Sequence, residues 1–108
     1  MSQARIAQEA KKLAEQIGKE LHPKKIIFFG SASYGKAKSN SDIDLCVVID
    51  GERLNVKQKI WDLLWKNNYS WMIEPDIHVY SPDTYSDYLL RDDPFLREVN
   101  KGKLLYEG

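Results

Sequence analysis

The spacing of apolar residues switches repeatedly between a helical and a strand period along this chain, and that alternation limits its fold more than any other feature. Ile6, Ala10, Leu13, Ala14, Ile17 and Leu21 recur at helical spacing as one stripe, with charges opposite. The stripe predicts a helix ended near His22-Pro23, because the residue before proline avoids the helical region. His22 then sits at an exposed helix end, where a cation is mildly favoured, and takes no catalytic part. Ile26, Ile27, Phe28 and Phe29 form a short apolar run bounded by Lys24-Lys25 and Gly30, which reads as a buried strand. Ile43, Leu45, Cys46, Val47, Val48 and Ile49 make a second strand, closed by Asp50-Gly51. Val56, Ile60, Leu63 and Leu64 mark another helix, with Trp61 and Trp65 widening its apolar arc. A third strand is predicted from about Ile73 to Tyr80. Ser81 or Pro82 opens a helical region through Leu90, and Asp92-Asp93-Pro94 reads as a fresh helix start. Leu104, Leu105 and Tyr106 form a short apolar tail after Lys101-Gly102. The pattern predicts an α/β (α+β) domain over residues 1–108: a small mixed β-sheet of three to four strands with helices packed on it.

Composition narrows the function classes. At 108 residues, 43% hydrophobic and 30% charged, the chain suits one globular domain with a modest core. No apolar run approaches the length of a membrane span, and Met1 to Glu20 is charged throughout, unlike a signal peptide or anchor. The single cysteine, Cys46, has no internal disulfide partner and falls in a strand pattern as a small core residue, which fits a reducing cytoplasm. A net charge of zero gives no reason to expect direct nucleic-acid binding. The charge is uneven, however: eight basic and three acidic residues precede Asp42, against eight basic and thirteen acidic from Asp42 onward. Lys24, Lys25, Lys36 and Lys38 bracket a Gly- and Ser-rich segment, an arrangement that suits phosphate beside carboxylates but also fits a merely uneven surface.

The chemistry concentrates in that neighbourhood. Asp42-Ile43-Asp44 opens a strand, and strand side chains alternate faces, so both carboxylates point away from the face of Ile43 and Leu45. Two like charges so close call for a cation. Asp76 shares a face with His78, and joins the pair if the second and third strands are neighbours. Three carboxylates on one face would make an oxygen-only site suited to Mg²⁺, as one or two ions. His78 then lies where it either touches substrate or metal, or packs beside the site. Upstream, Gly30-Ser31 directly follows a buried strand, then come Gly35, Lys36 and Ser41. Glycine at a strand end lets backbone approach a phosphate, and backbone N–H groups with the Ser31 hydroxyl can donate to it. Gly30 to Lys36 also spells G-x-x-x-x-G-K, but Ala37 stands where a P-loop needs Ser or Thr for Mg²⁺.

Gly30-Ser31-Ala32-Ser33-Tyr34-Gly35, followed by Ser41-Asp42-Ile43-Asp44-Leu45, resembles the signature of the polymerase-β-like nucleotidyltransferase superfamily. The chain is most similar to its minimal nucleotidyltransferases, down to the tail from Phe95 to Tyr106. The resemblance implies the nucleotidyltransferase fold. It implies that Gly30 and Ser31, with Gly35, Lys36 and Ser41, bind a nucleoside triphosphate, that Asp42 and Asp44 hold metal, and that Asp76 completes the site and assists an attacking hydroxyl. It further implies transfer of AMP from ATP to a tyrosine of a small helical HEPN-type partner, in a toxin–antitoxin pair. Tyr34 stands where many such domains carry arginine. That departure motivates a second expectation, an antitoxin with a weak or inactive site that neutralises its partner by stoichiometric binding. Transfer to a small molecule such as an aminoglycoside is a third, for which 108 residues leave no acceptor-binding helices. The Trp61/Trp65 pair, with Trp71, reads as core, part of whose width could dock the partner or a second copy of the chain.

Overall fold

The structure, a computed structural model, describes residues 3–34, 43–67 and 74–108. Among these, the first helix, α1, runs Gln3–Leu21, and His22 leaves it in the left-handed region (φ 50°) with its N–H on the Gly18 carbonyl. The chain then forms β1 (Lys25–Phe29), a single 3₁₀ turn (Ser31–Tyr34) and β2 (Ile43–Val48). Helix α2 (Arg53–Lys66) starts at Glu52, whose carboxylate accepts from the Leu54 and Asn55 N–H groups at 3.2 and 2.9 Å. Strand β3 (Pro75–Tyr80) leads into α3 (Pro82–Leu90), capped by Ser81. Helix α4 (Pro94–Asn100) is capped by Asp93, which accepts from the Leu96 N–H at 2.9 Å. In both of these helices proline takes the first position, where its missing N–H costs nothing.

The apolar tail is a fourth strand, β4 (Lys103–Glu107), so the sheet has the order β3-β2-β1-β4. Strand β1 is antiparallel to both β2 and β4, while β2 and β3 run parallel across the α2 connection. The sheet is therefore mixed, as expected. Strand β4 was not legible as more than a tail because its apolar side chains stay partly exposed at the sheet edge, Leu104 by 51%.

Period-two alternation divides the sheet into two faces. Ile26, Phe28, Ile43, Leu45, Val47, Ile77 and Val79 pack against α1 and α2, through Leu13, Ile17, Ile60 and Leu64 among others. Ile27, Phe29, Cys46 and Val48 pack against α3 and α4, through Tyr85, Leu96 and Val99. Helices thus cover both faces, which explains why β2 reads as a continuous apolar run after Asp44. Fully burying a side chain such as Phe28 or Leu45 contributes roughly 1.5–3 kcal/mol relative to exposure. In α2, Val56, Ile60, Leu63 and Leu64 are buried as the spacing predicts, but Trp65 is 67% exposed, so the apolar arc is wider than the sheet can cover. No helix among the described residues is long and apolar enough to cross a membrane.

Candidate active site

Strand directions bring the chemistry together. Because β1 is antiparallel to β2 and β3 is parallel to it, the end of β1 and the beginnings of β2 and β3 share one end of the sheet. Gly30, Asp44 and Asp76 stand there, with Phe29 opposite Asp44, and Asp44 directly opposite Asp76 in register. Ile43, Leu45 and Ile77 belong to the face under α1 and α2, so Asp44, Asp76 and His78 occupy the face shared with Cys46 and Val48. The carboxylates therefore lie on the same side of the sheet, the condition on which a common site depends.

Ligand atoms of Asp44, Asp76 and His78 all lie within 4.8 Å of one another. His78 Nε2 is 3.3 Å from Asp76 Oδ2. Asp44 is half-buried, whereas the Asp76 side chain is 59% exposed. The His78 imidazole is held by aromatic neighbours, with ring centroids 5.5 Å from Phe29 on β1 and 5.0 Å from Phe95 on α4.

Gly30 shapes the other wall. Its φ of 87° lies in the left-handed region, and a Cβ there would collide with Asp44 Oδ2. The absent side chain is what lets the carboxylate lie against the turn. The turn is fixed from within: the backbone N–H and the hydroxyl of buried Ser33 both donate to the Gly30 carbonyl, at 3.0 and 2.6 Å. Ser31 opens this turn and is exposed. Gly35, Lys36, Ser41 and Asp42, all expected at the site, lie outside the described residues.

The structure thus brings Gly30, Asp44 and Asp76 together, puts His78 beside them, one of the two places the sequence left open for it, and adds Ser33, Phe29 and Phe95, which sequence reasoning did not place there. His78 carried a signal in its two-residue spacing from Asp76, but only the parallel register places it against the pair. Ser33 could have been noticed three residues after the glycine. Phe29 and Phe95 come from distant parts of the chain and had no sequence signal. The P-loop spelling of Gly30–Lys36 loses its context, since β1 is antiparallel to both neighbours and runs into a four-residue 3₁₀ turn.

Two carboxylates in direct register, with an imidazole beside them and space left by Gly30, fit a divalent cation. Among the described residues, the groups that could hold such an ion are the two carboxylates and the His78 imidazole. Cys46 contributes none of this chemistry. It is opposite His78 in register, and burial pushes its thiol up to about 12 against the opposing effect of the Lys25 ammonium. Its sulfur is not among the donor atoms that converge with Asp44, Asp76 and His78. Iodoacetamide is expected to leave it unmodified in the native protein and to alkylate it readily in denaturant, by intact-mass measurement. Fast native alkylation would contradict this burial.

A mixed sheet covered on both faces, with carboxylates paired across adjacent strands β2 and β3 beside a Gly-Ser turn, is the nucleotidyltransferase class of fold. Residues 10–101 match the model of the nucleotidyltransferase domain, and the chain belongs to that family. Its fold is similar to that in the crystal structure of a toxin–antitoxin with AMP-PNP, at 24% identity and a TM-score of 0.58 over 91% of this chain and 73% of that one. It is also similar to a mutant of the toxin–antitoxin MntA–HpeT, at 23% identity and a TM-score of 0.56 over 92% of this chain and 73% of that one. No curated protein matches the chain significantly.

Proposed function

We propose that residues 1–108 form one catalytic domain that transfers AMP from ATP to a protein hydroxyl. The acceptor is a tyrosine of a small helical HEPN-type partner, and the pair works as a toxin–antitoxin system in the cytoplasm. One observation carries the reading: Asp44 and Asp76 face each other in register on adjacent strands, with Gly30 leaving room for the Asp44 carboxylate. Family membership supports nucleotidyl transfer. The likeness in fold to toxin–antitoxin chains, one of them crystallised with AMP-PNP, supports the nucleotide and the setting.

In this reading Gly30, Ser31, Gly35, Lys36 and Ser41 cradle the triphosphate, while Asp42, Asp44 and Asp76 hold Mg²⁺. Bound Mg²⁺, as one or two ions, neutralises charge on the leaving pyrophosphate and favours the ionised attacking oxygen. The acceptor approaches over Asp76, the more exposed carboxylate. Its hydroxyl oxygen bonds to the α-phosphorus, and the bond from that phosphorus to the bridging oxygen breaks. Pyrophosphate leaves with the electron pair, and the hydroxyl proton passes to Asp76.

The test is to incubate the chain with ATP, Mg²⁺ and the HEPN-type partner and to weigh the partner. An adenylyl adduct on tyrosine is expected, and Asp42→Asn plus Asp44→Asn abolishes it. No adduct, or an adduct that survives the double substitution, sinks the enzyme reading. A second reading, neutralisation by binding alone, draws on Leu54 and Trp65, which are 70% and 67% exposed and lie with Trp61 along one side of α2. Under it the double aspartate variant still neutralises the partner, and Trp65→Ala does not.

A further inference from the structure

We propose that His78 supplies a nitrogen ligand to the divalent ion, so that this site takes transition ions with a preference that an oxygen-only site lacks. The inference rests on the reading that Asp44 and Asp76 hold a metal, and it names which metals they hold with His78.

Geometry comes first. Donors bound to one ion at about 2.1 Å stand roughly 3–4 Å apart. The 3.3 Å between His78 Nε2 and Asp76 Oδ2 already has that spacing. Donor atoms of all three residues fall within 4.8 Å, a distance that small side-chain rotations close. The imidazole is also held in place. Phe29 and Phe95 flank it at 5.5 and 5.0 Å between centroids, and Phe95 meets Phe29 edge-on at 5.5 Å. A ring so flanked loses little further freedom on ligating.

Donor chemistry then sets the preference. Mg²⁺ wants oxygen and keeps much of its water, so an imidazole adds little for it. A nitrogen donor favours transition ions over Mg²⁺; it favours Co²⁺ and Zn²⁺ more strongly than Mn²⁺, which shares the preference of Mg²⁺ for carboxylate. The neighbouring Cys46 is buried, and its sulfur is not among the donor atoms that converge here. The competing role for His78 is that of a positioning residue that only hydrogen-bonds to Asp76.

Pulsed EPR of Mn²⁺ bound to the full chain, with and without AMP-PNP, separates the two. The wild type is expected to show ¹⁴N coupling from an imidazole, lost in His78→Phe and His78→Gln. Phenylalanine keeps the ring packing, and glutamine keeps an N–H donor to Asp76. Both variants are expected to bind Mn²⁺ at least about tenfold more weakly, while Mg²⁺ affinity, read by competition, shifts less than about threefold. Mn²⁺ bound without nitrogen coupling, or full Mn²⁺ affinity in His78→Gln, overturns the role of His78 and leaves the carboxylate site standing. If the wild type takes up no Mn²⁺ at all, the metal site falls, and the proposed activity falls with it.

Discussion

Replacing Asp44 with asparagine is expected to lower AMP transfer by at least about a thousandfold while leaving the fold intact. The amide has nearly the volume of the carboxylate, so the packing around β2 and the Gly30 turn is kept. The charge is lost, and one acceptor oxygen becomes an N–H donor. A single preorganised group aimed at developing charge is worth on the order of 10²–10³ in rate, and a metal-holding carboxylate acts on both the attacking and the leaving oxygen. Stability is expected to move the other way. Asp44 and Asp76 are directly opposite in register, and like charges so placed repel. In metal-free buffer the variant is expected to gain up to about 0.5 kcal/mol, a rise of a few degrees in Tm. Added Mn²⁺ or Mg²⁺ raises the Tm of the wild type by mass action, and barely moves that of the variant. Thermal unfolding with and without the ion, beside a transfer assay, checks all three parts. A variant that keeps its transfer rate, or its ion-dependent Tm shift, would remove Asp44 from the site.

Part of the site could be read from the residues alone. Strand alternation fixes which way Asp44 points once Ile43 and Leu45 are assigned to the core, because period two allows no other choice. The same rule puts His78 on the Asp76 face. Alternation does not say which strands are neighbours or in which register. Placing Asp76 opposite Asp44 required the parallel β2–β3 pairing, set by how α2 packs over the sheet. His78 entered the cluster for the same reason. Exposure was less legible than direction. Trp61 and Trp65 both fit the apolar arc of α2, yet the sheet covers only the stripe through Ile60 and Leu64 and leaves Trp65 outside. A periodic pattern gives the centre of a buried stripe but not its width. Leu104 to Tyr106 carried too few residues to distinguish an edge strand from a tail, and its pairing with β1 is a long-range contact that local pattern cannot supply.

Gly30→Ala is expected to damage stability and activity together, through one methyl group. At φ 87° alanine is strained, by about 1 kcal/mol relative to glycine. The Gly30 backbone cannot easily swing to relieve this, because Ser33 holds its carbonyl with two hydrogen bonds. The new Cβ would also collide with Asp44 Oδ2, so the carboxylate must turn away from the position opposite Asp76. A misplacement of about 1 Å in a catalytic group costs on the order of a hundredfold in rate, and the expected total loss of stability is about 1–2 kcal/mol. Unfolding cannot mimic the kinetic effect, because the rate is read at a temperature where the variant is folded. The two causes separate in a double-mutant cycle. With Asp44 already cut to alanine the collision disappears, and Gly30→Ala should then cost only its backbone part. Equal costs in both backgrounds would mean that the turn and the carboxylate do not press on each other.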